Sequence, residues 1–256
     1  MKIIVAIKQV PERDAPVRID SSGKWIEEMD LQFTMNESDA YALEEALQLK
    51  EKHGGEVVVL SAGPERVGAT IREALAKGAD RAIHVESDDL AGRDALGVAR
   101  LLSAALKPES PDLILTGLQS DDLGYGQTGV ILAELLDLPH ASLILNVDKT
   151  GSGLTVKREL EEGWFQTIEL PTPAVLMIQS GGTKLRYATL MGIKRAKTKE
   201  VRKVTAAELG VAAPAAAVLE RISLPQKQKS TQILPGNAKE AAAALVEKLK
   251  FEVRVI

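Results

Sequence analysis

Short runs of aliphatic and β-branched residues, each followed by a longer amphipathic segment, fill the first 140 residues, and this alternation constrains the fold more than any other feature. Ile3–Ile7, Glu56–Ala62, Arg81–Val85 and Asp112–Thr116 are apolar on consecutive positions rather than on every second one. A strand that is apolar on both faces must be covered on both faces, as in a parallel sheet flanked by helices. Between these runs, Leu43, Ala46 and Leu47 share one face of a helix over 38–53, which Gly54 and Gly55 stop. Val67, Ile71, Ala74 and Leu75 repeat the pattern before Gly78, and Leu96, Ala99, Leu102 and Ser103 do so before Pro108. Val130–Leu136 form a fourth helix, ended by Pro139. Strands alternating with helices of this length predict βαβ units and an α/β fold with an open, mostly parallel, Rossmann-like sheet.

The pattern changes after Pro139. Ala141–Val147, Leu154–Leu160 and Trp164–Leu170 read as strands joined by Lys149–Gly153 and Glu161–Gly163, an antiparallel extension, with Ala174–Ile178 returning as another buried strand. From Gly181 the chain becomes basic: Lys184, Arg186, Lys194, Arg195, Lys197, Lys199, Arg202 and Lys203 face only Glu200 among the acids. Beyond residue 205 come an Ala-rich stretch, a polar segment (Pro225–Lys229) and a last helix, Ala238–Leu249. That tail holds too few large apolar residues for a core of its own. The expected organisation is a nucleotide-binding α/β domain over 1–200, including a docking segment at 181–200, and a C-terminal arm over 201–256.

Composition removes several classes of chemistry. At 45% hydrophobic and 3% aromatic, the core is aliphatic. The absence of cysteine excludes disulfides, thiol redox chemistry and thiolate metal sites. His53, His84 and His140 stand far apart, and no metal site is expected. Lys and Arg number 32 against 36 Asp and Glu, a net charge of -4 that argues against a globally basic nucleic-acid binder. No apolar run reaches a membrane span, and Met1–Val5 begins like a strand rather than a secretion signal, so the expected location is cytoplasmic.

In doubly wound sheets, ligands sit beyond the carboxyl ends of the strands where strand order reverses. The segment Gly117–Gly129 joins the fourth strand to its helix, and Gly126-Gln127-Thr128-Gly129 opens that helix. Its backbone N–H groups can cradle a phosphate, with the Thr128 hydroxyl as a further donor; the alternative is an ordinary loop with capping glycines. Lys8–Asp14 reads as a solvated charged turn and Asn36 as a helix N-cap. Ser180-Gly181-Gly182-Thr183 has the composition of a pyrophosphate loop but follows a late strand, not the first. Asp121 and Asp122 lack a second carboxylate cluster for Mg²⁺, and His84 and His140 read as structural. The basic run contains one aromatic, Tyr187, and so no base-stacking platform; a solvated face and a docking surface for an acidic protein fit it equally. These residues describe a nucleotide-binding domain with a docking segment and no pair of nucleophile and base.

Several segments together resemble the β subunit of electron-transfer flavoproteins. Val5-Ala6-Ile7-Lys8-Gln9-Val10, Met35-Asn36 with Ala42–Lys50, and Ser61–Pro64 with Ile71–Arg81 are similar to the opening half of that family. Arg158, Glu161-Glu162-Gly163 and Pro173–Leu176 follow its signature, and Arg186-Tyr187-Ala188-Thr189-Leu190 resembles its recognition loop. The resemblance implies an adenine-nucleotide α-hydrolase-like sheet and a heterodimer whose α subunit holds most of an FAD. It implies a structural AMP in this chain, contacted by Ala6, Asn36, Glu37, Ser38, Asp39, Ala62, Gly117, Gln119, Ser120, Asp121, Asp122, Gly124, Tyr125, Gly126, Gln127 and Thr128. It further implies docking through Arg186, Tyr187, Leu190, Met191, Lys194 and Arg195, with an arm that embraces the α subunit. Electrons would pass from acyl-CoA-type dehydrogenases, as in fatty acid oxidation, to a quinone oxidoreductase; such a chain is a carrier, not an enzyme, and at most peripheral to a membrane. The alternative within the family is an electron-bifurcating subunit with a second FAD in place of AMP and NADH as donor; outside it stands a nucleotide-sensing homodimer. Two departures are Asp122-Leu123-Gly124-Tyr125, where many members carry an acidic triplet, and Arg13, where some place an aromatic.

Overall fold

The computed structural model describes residues 1–88, 90, 93–211, 216–226 and 231–255. Lys227–Lys229 of the polar segment lie outside the described residues. Among those described, the chain forms two compact units, Met1–Ile222 and Ser223–Ile256.

The first unit is built on a nine-stranded sheet. Its strands are β1 (Lys2–Ala6), β4 (Glu56–Gly63), β5 (Arg81–Glu86), β6 (Leu113–Gly117), β7 (His140–Thr150), β8 (Gly153–Glu159), β9 (Phe165–Pro171), β10 (Ala174–Ile178) and β11 (Val201–Thr205). Their order is β11-β5-β4-β1-β6-β10-β7-β8-β9. All pairings from β11 to β7 are parallel, and β7-β8-β9 are antiparallel. A short antiparallel pair, β2 (Gln9–Pro11) and β3 (Phe33–Met35), lies outside this sheet.

Successive side chains of a strand point to opposite faces, and here both faces are buried. Ile3 and Val5 join Val57, Val59, Leu113 and Leu115 in one cluster, with α1 (Glu37–His53) and α2 (Gly68–Lys77) supplying Leu43, Leu47, Ile71 and Leu75. Ile4 and Ala6 join Val58, Leu60, Ile83 and Ile114 in a second cluster, covered by Leu101 and Leu102 of α3 (Ala95–Leu106) and Leu132 of α4 (Thr128–Leu136). The consecutive apolar positions of the sequence are thus divided between two helical layers. Among the described residues the largest fully buried side chains are all isoleucine and leucine, so the core is filled mainly by interdigitating branched chains.

The strand and helix expectations hold, including the antiparallel extension after Pro139. Three features differ. Val201–Thr205, expected to open the arm, instead adds to the sheet edge beside β5, because Val201 and Val204 pack against the two core clusters while Arg202 pairs with Glu109 at 3.0 Å. Gln9–Pro11 is strand rather than solvated turn, with Val10 1% exposed. The short helix α5 (Leu190–Ala196) packs on α2, where a Cβ at Gly192 would lie 2.2 Å from the Ala76 carbonyl oxygen, so only glycine permits that approach. Glu45 of α1 is buried, accepts the Val147 N–H at 2.9 Å, and is pushed up to about 7 by burial.

In the second unit, α6 (Ala238–Lys248) starts with a capping box: Asn237 Oδ1 accepts the N–H groups of Lys239 and Glu240, and Glu240 accepts the Asn237 N–H. The helix buries none of its residues, and Leu245, Val246, Phe251 and Val253 are exposed.

Candidate functional site

Strand order reverses at β1. The chain steps from β1 to β4 and β5 on one side, then crosses to β6 on the other. Beyond the carboxyl ends of these strands lies a cleft of about 1030 Å³. At that volume it stands at the upper end of small-molecule sites.

Asp39 fixes the floor. Its Oδ2 accepts the Lys8 N–H at 2.7 Å, at the end of β1, and its Oδ1 accepts the Gly117 N–H at 2.9 Å, at the end of β6. One carboxyl therefore holds the two strands flanking the switch point. Burial pushes Asp39 up to about 7, against the opposing pull of the two N–H donors and Asn36.

Asn36 is 1% exposed and makes no side-chain cap to α1, contrary to the N-cap expectation. Its amide faces the other way: Nδ2 donates to the Gln119 carbonyl at 2.9 Å, and Oδ1 accepts the Asp121 N–H at 2.9 Å. The Ser38 hydroxyl donates to the same Gln119 carbonyl at 2.8 Å. The loop after β6 is thus latched onto the start of α1. Lys8, expected in a solvated turn, reaches into the same loop, with Nζ 2.6 Å from Asp122 Oδ1 and 3.3 Å from Ser120 Oγ. The Lys8 ammonium holds the Asp122 carboxyl below its usual range against the burial that would raise it.

The loop ends in Gly126, at φ +62°, a backbone conformation suited to glycine. Gln127, the N-cap of α4, then lines the cleft with Thr128 and Gly129 of the first turn. The leading N–H groups of a helix have no intrahelical acceptor and carry its positive end, which suits an anion.

Ala6, Asn36, Asp39, Ala62, Gly117, Gln119, Ser120, Asp121, Asp122, Tyr125, Gly126, Gln127 and Thr128 all line this one cleft. Glu37, Ser38 and Gly124 are not among its lining residues. Glu37 pairs with Arg13 at 2.7 Å, Ser38 holds the loop, and Gly124 donates its N–H to Ser120 within the loop. Sequence reasoning passed over the facing wall, where Arg66 forks onto Glu28 at 3.0 Å, stacks 3.8 Å from the Phe33 ring, and donates to Gln9. Gln9 and Arg66 carry no local signal for this, since their partners lie far along the chain. His84 is buried on β5 with Nε2 2.9 Å from the Gly63 carbonyl, a structural placement.

The basic segment over 181–200 is pinned at both ends. Arg186 forks onto Glu44 of α1 at 2.8 and 2.9 Å and reaches Glu51 at 2.6 Å. Its guanidinium is therefore committed within the chain rather than offered outward. At the other end Arg72 donates to the Ala196 carbonyl at 2.8 Å, and Lys199 donates to the carbonyls of Leu75 and Ala79. Between these anchors Tyr187 is 91% exposed and Leu190 81%, with Met191 and Ile193 beside them. Lys194 and Arg195 are exposed on the same short helix, α5.

Among the described residues no helix is long and apolar enough to cross a membrane, and no three His, Asp or Glu side chains gather as a metal site.

The family model for the electron transfer flavoprotein domain matches residues 24–209. The chain is 40% identical to an electron transfer flavoprotein subunit beta of Methylophilus methylotrophus, over 96% of this chain and 97% of the relative. It is 37% identical to the mitochondrial subunit beta of Oryza sativa subsp. japonica and 34% identical to the subunit beta of Bacillus subtilis, over the whole of both chains in each case.

Proposed function

The chain belongs to the electron transfer flavoprotein β-subunit family, and from that premise we propose that it works with an α-type partner as an electron carrier. In this reading FAD, held mainly by the partner, accepts electrons from acyl-CoA-type dehydrogenases, as in fatty acid oxidation, and delivers them to a quinone oxidoreductase. The chain itself turns over no substrate bond, and its setting is the cytoplasm, peripheral to a membrane at most. What the bound flavin supplies is reversible electron uptake; what this chain supplies is a nucleotide-stiffened body and a docking surface.

The cleft at the switch point is the observation that carries the nucleotide half of the reading. Its residues fit AMP: backbone N–H groups at Gly126–Gly129 and the Thr128 hydroxyl suit the phosphate, and Ala62 and Ala6 leave room for a flat base. Asp122 would otherwise repel a phosphate, but its charge is paired with Lys8. The size of the cleft favours one competing reading, a second FAD in place of AMP with NADH as donor.

The docking half rests on Leu190, a large apolar side chain held out in solvent on a segment anchored at both ends. An exposed leucine on a rigid mount suits a pocket on a dehydrogenase, with Lys194 and Arg195 steering encounter. Leu190→Ala is expected to weaken coupling to the dehydrogenase by about 1–3 kcal/mol, roughly 5- to 150-fold, with nucleotide and flavin content unchanged. The check is the rate of flavin reduction at limiting dehydrogenase; a wild-type rate would refute the docking assignment. The exposed apolar residues of α6 and Phe251 to Val255 suit an arm lying on the partner subunit.

A further inference from the structure

The segment Ala216–Ile222 has no regular secondary structure, yet both of its ends are tied down. The N–H groups of Ala216 and Ala217 donate to Asp94 Oδ2 at 2.8 and 2.9 Å, and the Ile222 N–H donates to the Gly23 carbonyl at 2.9 Å. Asp94 is well placed to act as an anchor, because its Oδ1 already accepts the Gly97 N–H at 2.8 Å as the N-cap of α3. The N–H groups of Gly97, Ala217 and Ala216 together hold the Asp94 carboxyl below its usual range, so it stays ionised and accepting through neutral pH.

Between the two ties every residue is exposed except Leu219 and Ile222, and these two line the cleft. The Gly23 end is itself braced: Gly23 sits in a turn closed by the Asp20–Trp25 hydrogen bond and the Ile19–Ile26 bridge, and Trp25 and Ile26 also line the cleft. The half-buried side chains of this segment line the cleft, and it is tied at one end to Asp94 and at the other to the turn that carries Trp25, both of which line the cleft as well.

We propose that Ala216–Ile222 is a strap that retains the nucleotide, latched by Asp94 on one wall and by the Gly23 carbonyl on the other. The inference rests on the AMP reading above and goes beyond it: exchange of the nucleotide requires the strap to unlatch, so Asp94 and Leu219, which belong to neither the Gly117–Gly129 loop nor the 181–200 segment, set how long the nucleotide stays. Asp94 acts as a positioning residue, through the strap.

The test uses the full chain assembled with its α-type partner and loaded with radiolabelled AMP, chased with excess unlabelled AMP. Asp94→Ser keeps an acceptor for the Gly97 N–H but is too short to reach Ala216 and Ala217; it is expected to release AMP about ten- to hundredfold faster than wild type. Leu219→Ala, which leaves α3 untouched, is expected to speed release in the same direction. Unchanged release from both variants, with AMP bound, overturns the strap alone. An assembly that neither carries nor takes up AMP overturns the nucleotide reading, and the strap with it.

Discussion

Arg186→Met is expected to cost the chain about 2–4 kcal/mol of folding stability, because it leaves the Glu44 carboxylate buried without its cation. Glu44 is 4% exposed, and once the guanidinium is gone the Gln48 amide, at 2.9 Å, and the backbone N–H of residue 186, at 3.3 Å, still donate to it, but neither carries a charge. The Arg186 fork presently holds Glu44 below the usual carboxylate range against its burial. The same substitution loosens the near end of the 181–200 segment, so under the proposed docking role flavin reduction by the dehydrogenase is expected to fall although Arg186 itself faces inward. Arg186→Lys keeps the charge but not the two-pronged geometry and should recover only part of both losses. Denaturant unfolding and reduction kinetics on the same preparations separate this variant from Leu190→Ala, which lowers coupling at constant stability. If Arg186→Met unfolded like wild type, the tether would carry no weight.

Asp39→Ala is expected to be the more damaging change at the cleft. It strips the acceptor from the partly buried N–H groups of Lys8 and Gly117, each costing up to about 1–3 kcal/mol when left unsatisfied. The loss also depends on pH. Asp39 titrates at about 7 in the folded chain against 3.8 unfolded, so the folded state binds the proton more tightly. Its proton-linked contribution is fully present below pH 3.8 and is lost as pH rises through about 7. The destabilisation by Asp39→Ala should therefore be larger at pH 5 than at pH 8, by about 3 kcal/mol. Equal losses at the two pH values would show that Asp39 has an ordinary carboxylate pKa in the folded chain. Nucleotide retention should fall in parallel, since the strands that Asp39 joins frame the cleft.

The fold was largely legible because its signals are local. Consecutive apolar runs such as Ile3–Ile7 and Glu56–Ala62 can be satisfied only between two helical layers, and the glycines and prolines that end the helices act on their own neighbours. The β7-β8-β9 extension was equally visible from its two Gly-containing turns. What sequence could not show depends on distance. Val201–Thr205 looks like part of a basic run until it lies beside β5, more than a hundred residues earlier in the chain. Asn36 looks like a cap because capping is the commonest local use of asparagine, whereas its partners, Gln119 and Asp121, come from another crossover. Arg186 and Lys8 read as surface charges, and each proves to be one half of an ion pair with a distant acid. The walls of the cleft beyond the phosphate loop, from Arg66 to Leu219, belong to the same class.

What the cleft holds when the chain is assembled decides between carrier and bifurcating enzyme. Acid release of the cofactors from the chain co-purified with its α-type partner, with each identified by chromatography and mass, measures this directly. One AMP and one FAD per heterodimer, and no flavin on this chain alone, are the expected result. Two FAD and no AMP would contradict it, placing a flavin against Gly117–Thr128 and making the assembly a bifurcating enzyme rather than a carrier.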